Sequence, residues 1–134
     1  MKITLDQHTL ETINLFRNIT GSTVVDCVDS DEDIYFIVAE GQYGLAVGKN
    51  GAKVRNAERV FKKNIKVFEY AADLMQFVRN LVPEATDITE TNKVICVKVG
   101  QHAKAKVIGK NGRNIKVLNE LLKRHFDVEA LKVK

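Results

Sequence analysis

Two tetrapeptides, Gly48-Lys49-Asn50-Gly51 and Gly109-Lys110-Asn111-Gly112, are the residues of this 134-residue chain best suited to chemistry. The chemistry they suit is the holding of an anion rather than the breaking of a bond. Glycine at both ends removes β-carbons that would otherwise keep a ligand at a distance from the main chain. Lys49 and Lys110 add a mobile positive charge, while Asn50 and Asn111 can donate or accept hydrogen bonds. A helix starting at the second glycine would turn unpaired N–H groups and its positive dipole end toward a phosphate. Val47 with Val54, and Ile108 with Ile115, are placed to floor a groove against a neighbouring strand, where bases could lie. Lys53 and Arg55 follow the first turn and Arg113 and Lys116 the second, with Arg59, Lys123 and Arg124 further on, to neutralise or steer phosphates. Nucleic acid is the first partner to test.

Other chemistries fit less well. Gly44 with Gly48-Lys49 falls one residue short of a nucleotide-binding P-loop, and Asn50 stands where Ser or Thr would hold magnesium. Asp29, Asp31, Asp33 and Glu40 match several positions of a calcium loop, but Ile34 occupies the place that needs glycine. Cys27 and Cys96 have no histidine at metal-ligand spacing and read as buried free thiols of a reducing cytoplasm. His8, His102 and His125 lie far apart with no matching nucleophile. No catalytic residue, metal site or cofactor is assigned, and the chain is expected not to be an enzyme. Phe16, Phe36, Phe61, Phe77 and Phe126 fall on predicted core faces, so no exposed aromatic cluster is expected to stack bases.

The two tetrapeptides sit in a larger repeat. An offset of 61 residues aligns Ile34–Val38 with Ile95–Val99, and extends without a gap as far as Val67 facing Val128. Charge repeats with it: residues 1–43 carry 2 basic and 8 acidic side chains, and residues 44–70 carry 7 and 2. Residues 71–92 carry 1 and 4, and residues 93–134 carry 11 and 3. The basic halves are those with the glycine turns, so the field draws a polyanion to them although the formal net charge is only +4.

Each repeat reads as helix, strand, strand, short helix, turn, long helix, strand. Asp6 can cap a first helix with Leu10, Ile13, Phe16 and Ile19 inward, closed at Gly21. Strands follow at 22–28 and 34–39, then a short helix at 42–47. Past the turn, Val54, Ala57, Val60 and Phe61 recur at helical spacing and 65–68 closes the unit as a strand. In the second repeat a helix at 71–81 points Leu74, Phe77, Val78 and Leu81 inward and stops before Pro83. Strands are expected at 85–91, 93–99 and 128–133, with a short helix at 101–108 and a long one built on Ile115, Leu118, Leu121 and Leu122. The fold class is α+β, with domains at residues 1–70 and 71–134 separated by almost no linker and hence rigidly docked. At 45% apolar content such a chain folds without staples. No apolar run approaches 18 residues and the first residues lack a secretory leader, so a cytoplasmic monomer with no membrane span is expected.

Val107-Ile108-Gly109-Lys110-Asn111-Gly112-Arg113-Asn114-Ile115 resembles the signature of the KH family nearly letter for letter. Ala46-Val47-Gly48-Lys49-Asn50-Gly51-Ala52-Lys53-Val54 is a milder version, with Ala46 in place of Val107. The resemblance covers nearly all of residues 5–134. It implies two tandem type II KH domains, each a mixed three-stranded sheet packed against helices, whose loops clamp about four nucleotides. A closely linked pair with both turns intact is similar to the NusA family of transcription termination and antitermination factors, and within it to short archaeal members. That likeness implies single-stranded RNA as the ligand, with RNA polymerase or other transcription factors as partners. A KH protein of ribosome assembly, or a protein-interaction scaffold with vestigial grooves, stay open as alternatives.

Overall fold

A computed structural model describes residues 6–134, and the expectation that the first five residues carry no leader lies outside them. The chain divides into two compact units, one ending at Ala71 and the other starting at Ala72.

The first unit begins with helix α1 (Gln7–Thr20). The Asp6 carboxylate accepts the Thr9 N–H at 2.7 Å to start the helix, and the Gly21 N–H donates to the Arg17 carbonyl at its end. Strands β1 (Val24–Asp29) and β2 (Asp33–Val38) pair antiparallel, and β3 (Asn64–Glu69) pairs parallel to the far edge of β2. Reaching that edge in the same direction requires a crossover. It is supplied by helix α2 (Tyr43–Val47), a single 3-10 turn at Lys49–Gly51 and helix α3 (Ala52–Phe61). The core lies between sheet and helices, where the Phe16 and Phe36 rings stack at 3.9 Å among Ile13, Ile34, Val38, Ala46, Ala57 and Ile65.

The second unit repeats this order with helix α4 (Leu74–Leu81), strands β4 (Ala85–Thr91) and β5 (Val94–Val99), helices α5 (Gln101–Ile108) and α6 (Arg113–His125) about a second 3-10 turn, and strand β6 (Ala130–Val133). Its sheet is again mixed, in the order β4-β5-β6. β1 and β4 even share a register shift at the same point, between Val24 and Asp26 and between Ala85 and Asp87. The molecule is therefore α+β with two mixed three-stranded sheets, as expected.

Four expectations need correcting. Leu10 is 43% exposed, because the buried stripe of α1 runs through Thr12, Ile13, Phe16 and Thr20 and leaves Leu10 off its axis. Val60 is 47% exposed, since Val54, Ala57 and Phe61 already complete the inward face of α3. Helix α4 starts at Leu74 rather than 71, because Asp73 caps it by accepting the Gln76 N–H. The offset of 61 also fails before the closing strand. Ile34 pairs with Ile65, but its counterpart Ile95 pairs with Leu131, because α6 runs three residues longer than α3 and its connection to β6 is two residues longer. Val67 therefore corresponds to Val133, and Val128 lies ahead of the strand.

Both closing strands are held by one repeated device. Glu58 of α3 accepts the Ile65 N–H at 3.2 Å. At the equivalent position of α6, Asn119 accepts the Leu131 N–H at 2.7 Å and donates to the Leu131 carbonyl at 3.0 Å.

The connecting turns dictate their glycines by conformation. Gly48 has φ 79 and ψ 171, and Gly109 has φ 80 and ψ 169, a region essentially closed to L-residues. A β-carbon there would also meet the protein itself. At Gly48 it would lie 2.7 Å from Lys53 Cγ, and at Gly109 2.7 Å from Asn114 Cβ and 2.8 Å from the Asn114 backbone nitrogen. Gly112 is left-handed at φ 71 but has open space where its β-carbon would be. Gly109→Ala should cost about 2–4 kcal/mol of stability, against about 1–2 kcal/mol for Gly112→Ala. Denaturant unfolding of the two variants checks this, and equal losses would contradict it.

A second prediction comes from the start of α1. The His8 imidazole lies 2.9 Å from Asp29, which also takes a 2.7 Å bond from Lys63. The hydrogen bond to Asp29 raises the His8 pKa above its ordinary 6.5, although burial opposes this. Burial would raise the Asp29 pKa, but bonds from Lys63 and His8 outweigh it and hold the carboxyl below its ordinary 3.8. The His8 contribution is thus complete below pH 6.5 and fades as pH rises through the raised value. That of Asp29 is present above 3.8 and fades as pH falls through the lowered one. The difference in thermal midpoint between wild type and His8→Ala should be largest near pH 5.5 and shrink by about pH 9; a difference independent of pH would refute the assignment.

Candidate nucleic-acid interface

Each turn is a corner built from three positive-φ residues among four. After Gly48, Asn50 adopts φ 55 and ψ 28 and Gly51 φ 74 and ψ 16; Asn111 and Gly112 follow within a few degrees. Asparagine is among the few side-chain-bearing residues that enter this left-handed region readily, so backbone geometry accounts for its recurrence. The corner is closed by hydrogen bonds from Gly51 N–H to the Gly48 carbonyl and from Gly112 N–H to the Gly109 carbonyl, each 3.1 Å. The Ala52 and Arg113 N–H groups donate in turn to the Lys49 and Lys110 carbonyls. These amides at the helix entrances are therefore engaged by the turn, whereas the sequence suggested they would be unpaired.

Closure of the backbone leaves Lys49 and Asn50, and Lys110 and Asn111, projecting as exposed side chains. In the first unit Val47 from α2 and Val54 from α3 come together with Ile65 and Val67 of β3. These four form the apolar floor of an open groove of about 240 Å³, rimmed by Gly51, Arg55 and Tyr43. Arg55 is exposed and bends back so that its guanidinium donates to the Asn50 carbonyl, which sets a cation at the groove edge beside Gly51.

Lys53, assigned to phosphates from the sequence, has another contact. The Lys53 ammonium donates to the Thr20 carbonyl at 2.8 Å, placing its charge at the negative end of α1 and away from the turn. Its counterpart Asn114 donates to the Val107 carbonyl at 2.7 Å and ties α5 to α6 across the corner. In the second unit Ile108, Arg113 and Ile115 are half-buried around the turn and Lys116 is exposed.

Sequence reasoning missed Tyr43. It is the first residue of α2, 48% exposed, and it lines the first groove. A lone aromatic at the start of a short helix offers no periodicity to betray it. The available signal was the repeat itself, because the residue 61 positions on is Lys104.

Among the described residues no group of histidine, cysteine and acidic side chains is arranged to hold a metal ion, and no helix is long and apolar enough to cross a membrane. Cys27 is a buried free thiol, and Cys96 is only half-buried.

Residues 78–133 match the family model of the NusA-like second KH domain. The chain is 35% identical to the probable transcription termination protein NusA of Methanococcus vannielii, covering 99% of this chain and 80% of that one. The protein of the same name from Methanocaldococcus jannaschii is 33% identical, over 98% of this chain and 75% of the relative. That of Thermoplasma acidophilum is 32% identical, over 99% and 96%. The solved structure titled "Crystal structure of APE1850" superposes with a TM-score of 0.76 at 31% identity, covering 97% of this chain and all of that one. With two glycine corners set in a repeated helix–strand–strand–helix–helix–strand frame, and with such identity along its whole length, the chain belongs to the NusA family of archaeal KH proteins.

Proposed function

We propose that this chain is a non-enzymatic RNA-binding protein of transcription elongation or termination, and that its two Gly-Lys-Asn-Gly corners clamp single-stranded RNA. The observation that carries this reading is the first groove. An apolar floor of Val47, Val54, Ile65 and Val67 runs directly into a corner that projects Lys49 and Asn50, with Arg55 at its edge. Such a surface offers bases a dry wall and phosphates a cation within one short span. The relatives' names supply the process, and RNA polymerase or another transcription factor is the protein partner that follows from them.

In this reading each unit is a type II KH domain, residues 1–70 and 71–134, and each holds a few nucleotides. Only a few residues connect Glu69 to Leu74, so once one corner is engaged the other meets the same strand at a high effective concentration. Val47, Gly48, Lys49, Asn50, Gly51, Val54 and Arg55 form the first contact surface, and Ile108, Gly109, Lys110, Asn111, Gly112, Arg113, Ile115 and Lys116 the second. Lys53 is left to the fold, through its bond to Thr20.

Replacing Lys49-Asn50 by Asp-Asp should weaken binding of a short single-stranded RNA by about tenfold or more, and the same change at Lys110-Asn111 should do likewise. Aspartate tolerates the left-handed conformation of Asn50 and Asn111, so circular dichroism should show both folds intact. Unchanged affinity in the double variant would refute the site. Neutralising about four phosphates predicts a roughly 50-fold loss of affinity between 50 and 200 mM salt; a flat response would exclude phosphate clamping.

A further inference from the structure

The two corners are nearly superimposable in backbone, yet the helices leading into them present different chemistry. On α2, Tyr43 is 48% exposed and Leu45 46% exposed. At the equivalent places on α5 stand Lys104, which is exposed, and Lys106, whose ammonium lies 3.4 Å from Glu84. The first entrance is thus aromatic and apolar, and the second is cationic.

Tyr43 is held at its station by the fold. Its backbone N–H donates to the Glu69 carboxylate at 3.0 Å, which anchors the first turn of α2 to the end of β3. Neighbouring Gln42 accepts the Thr23 N–H through its side chain and joins the same helix start to the residue just ahead of β1. These bonds hold the backbone from which the Tyr43 ring lines the groove whose floor is Val47, Val54, Ile65 and Val67, with the Arg55 guanidinium and Gly51 also at its edge. An aromatic face, an apolar floor and a cation, arranged across about 240 Å³, match the parts of one nucleotide: a base to stack, a sugar to bury and a phosphate to pair.

We propose that Tyr43 is a base-stacking residue peculiar to the first groove, so that the first corner engages a nucleobase while the second, with Lys104 in its place, engages mainly the phosphate chain. The inference rests on the RNA-binding reading above and goes beyond it by making the two grooves unequal in kind. Two phosphate clamps alone would hold any strand in any register. One clamp with a stacking platform and one without makes the first groove depend on the bases of the strand and the second only on its phosphates.

The test uses the full chain carrying Lys110→Asp and Asn111→Asp, so that binding reports the first groove. A mixed-sequence single-stranded RNA of eight nucleotides and an abasic ribose–phosphate strand of the same length are titrated against this parent and against its Tyr43→Ala and Tyr43→Phe derivatives. Tyr43→Ala should lower affinity for the RNA by about 5- to 100-fold, with its salt slope unchanged because no phosphate contact is lost. Tyr43→Phe should stay within about twofold of the parent, since the ring face is kept. The abasic strand should bind all three alike and weakly. Tyrosine emission should be quenched by RNA in the parent and not in Tyr43→Ala, as Tyr35 is buried and Tyr70 does not line the groove. If Tyr43→Ala binds RNA as the parent does, while Lys49→Asp with Asn50→Asp abolishes binding, the stack is refuted and the clamp stands. If the parent binds no RNA although wild type does, the first groove is not a binding site and the inference falls. If wild type binds none either, the RNA-binding reading falls with it.

Discussion

The structure turns on the contact between a missing β-carbon and the residue five positions later. At Gly48 and Gly109 the backbone enters a region closed to L-residues, and the helix that follows packs its own Lys53 or Asn114 into the space left behind. That packing brings each short helix against the long one at a fixed angle. It also lifts the two central residues of the corner clear of the protein. The first glycine of the motif is therefore a demand of packing as well as of backbone angle, whereas at the second the left-handed angle alone asks for glycine: space is open at Gly112, and at Gly51 a β-carbon would meet only the end of the Arg55 side chain. Two glycines that look alike in sequence answer to different physical requirements.

Much of this architecture is legible in the amino-acid sequence. Branched and aromatic runs such as Ile34–Val38 can hardly be anything but central strands, and both surfaces of that run are buried. Asp6, Gly21 and Pro83 mark helix boundaries by chemistry that needs no tertiary context. The corners are legible because glycine and asparagine are selected by backbone angle as well as by neighbours. Sequence reasoning fails where the answer depends on what packs from elsewhere. Nothing local tells whether Val60 faces in or out, and its counterpart Leu121 is wholly buried while Val60 is not. Lys53 reads as a surface cation until α1 is seen to end at its ammonium. Tyr43 escapes notice for the opposite reason: a single exposed side chain leaves no periodic trace.

The two units also show how a duplicated frame diverges while its mechanics persist. Lys53 and Asn114 occupy the same position, fill the space beside the same glycine and use their nitrogens differently, one to cap α1 and the other to bind α5 to α6. From the end of the long helix the copies part, with three residues added to α6 and two to the connection before β6. An alignment by motif alone runs through that insertion unaware. Pairing within each sheet reveals it, because Ile34 and Ile95 must each face a partner on the closing strand.

Glu58 and Asn119 turn this observation into a statement about parity. Side chains along a strand alternate between faces, so sliding β3 by a single residue would bring Lys66 onto the groove floor in place of Ile65 and Val67. The carboxylate of Glu58 fastens one chosen amide, that of Ile65, and Asn119 grips both backbone groups of Leu131. A helix side chain thus works as an index pin for the strand beside it. The hydrophobic character of the floor is protected by a bond to the backbone of one of its residues, not to any side chain it presents.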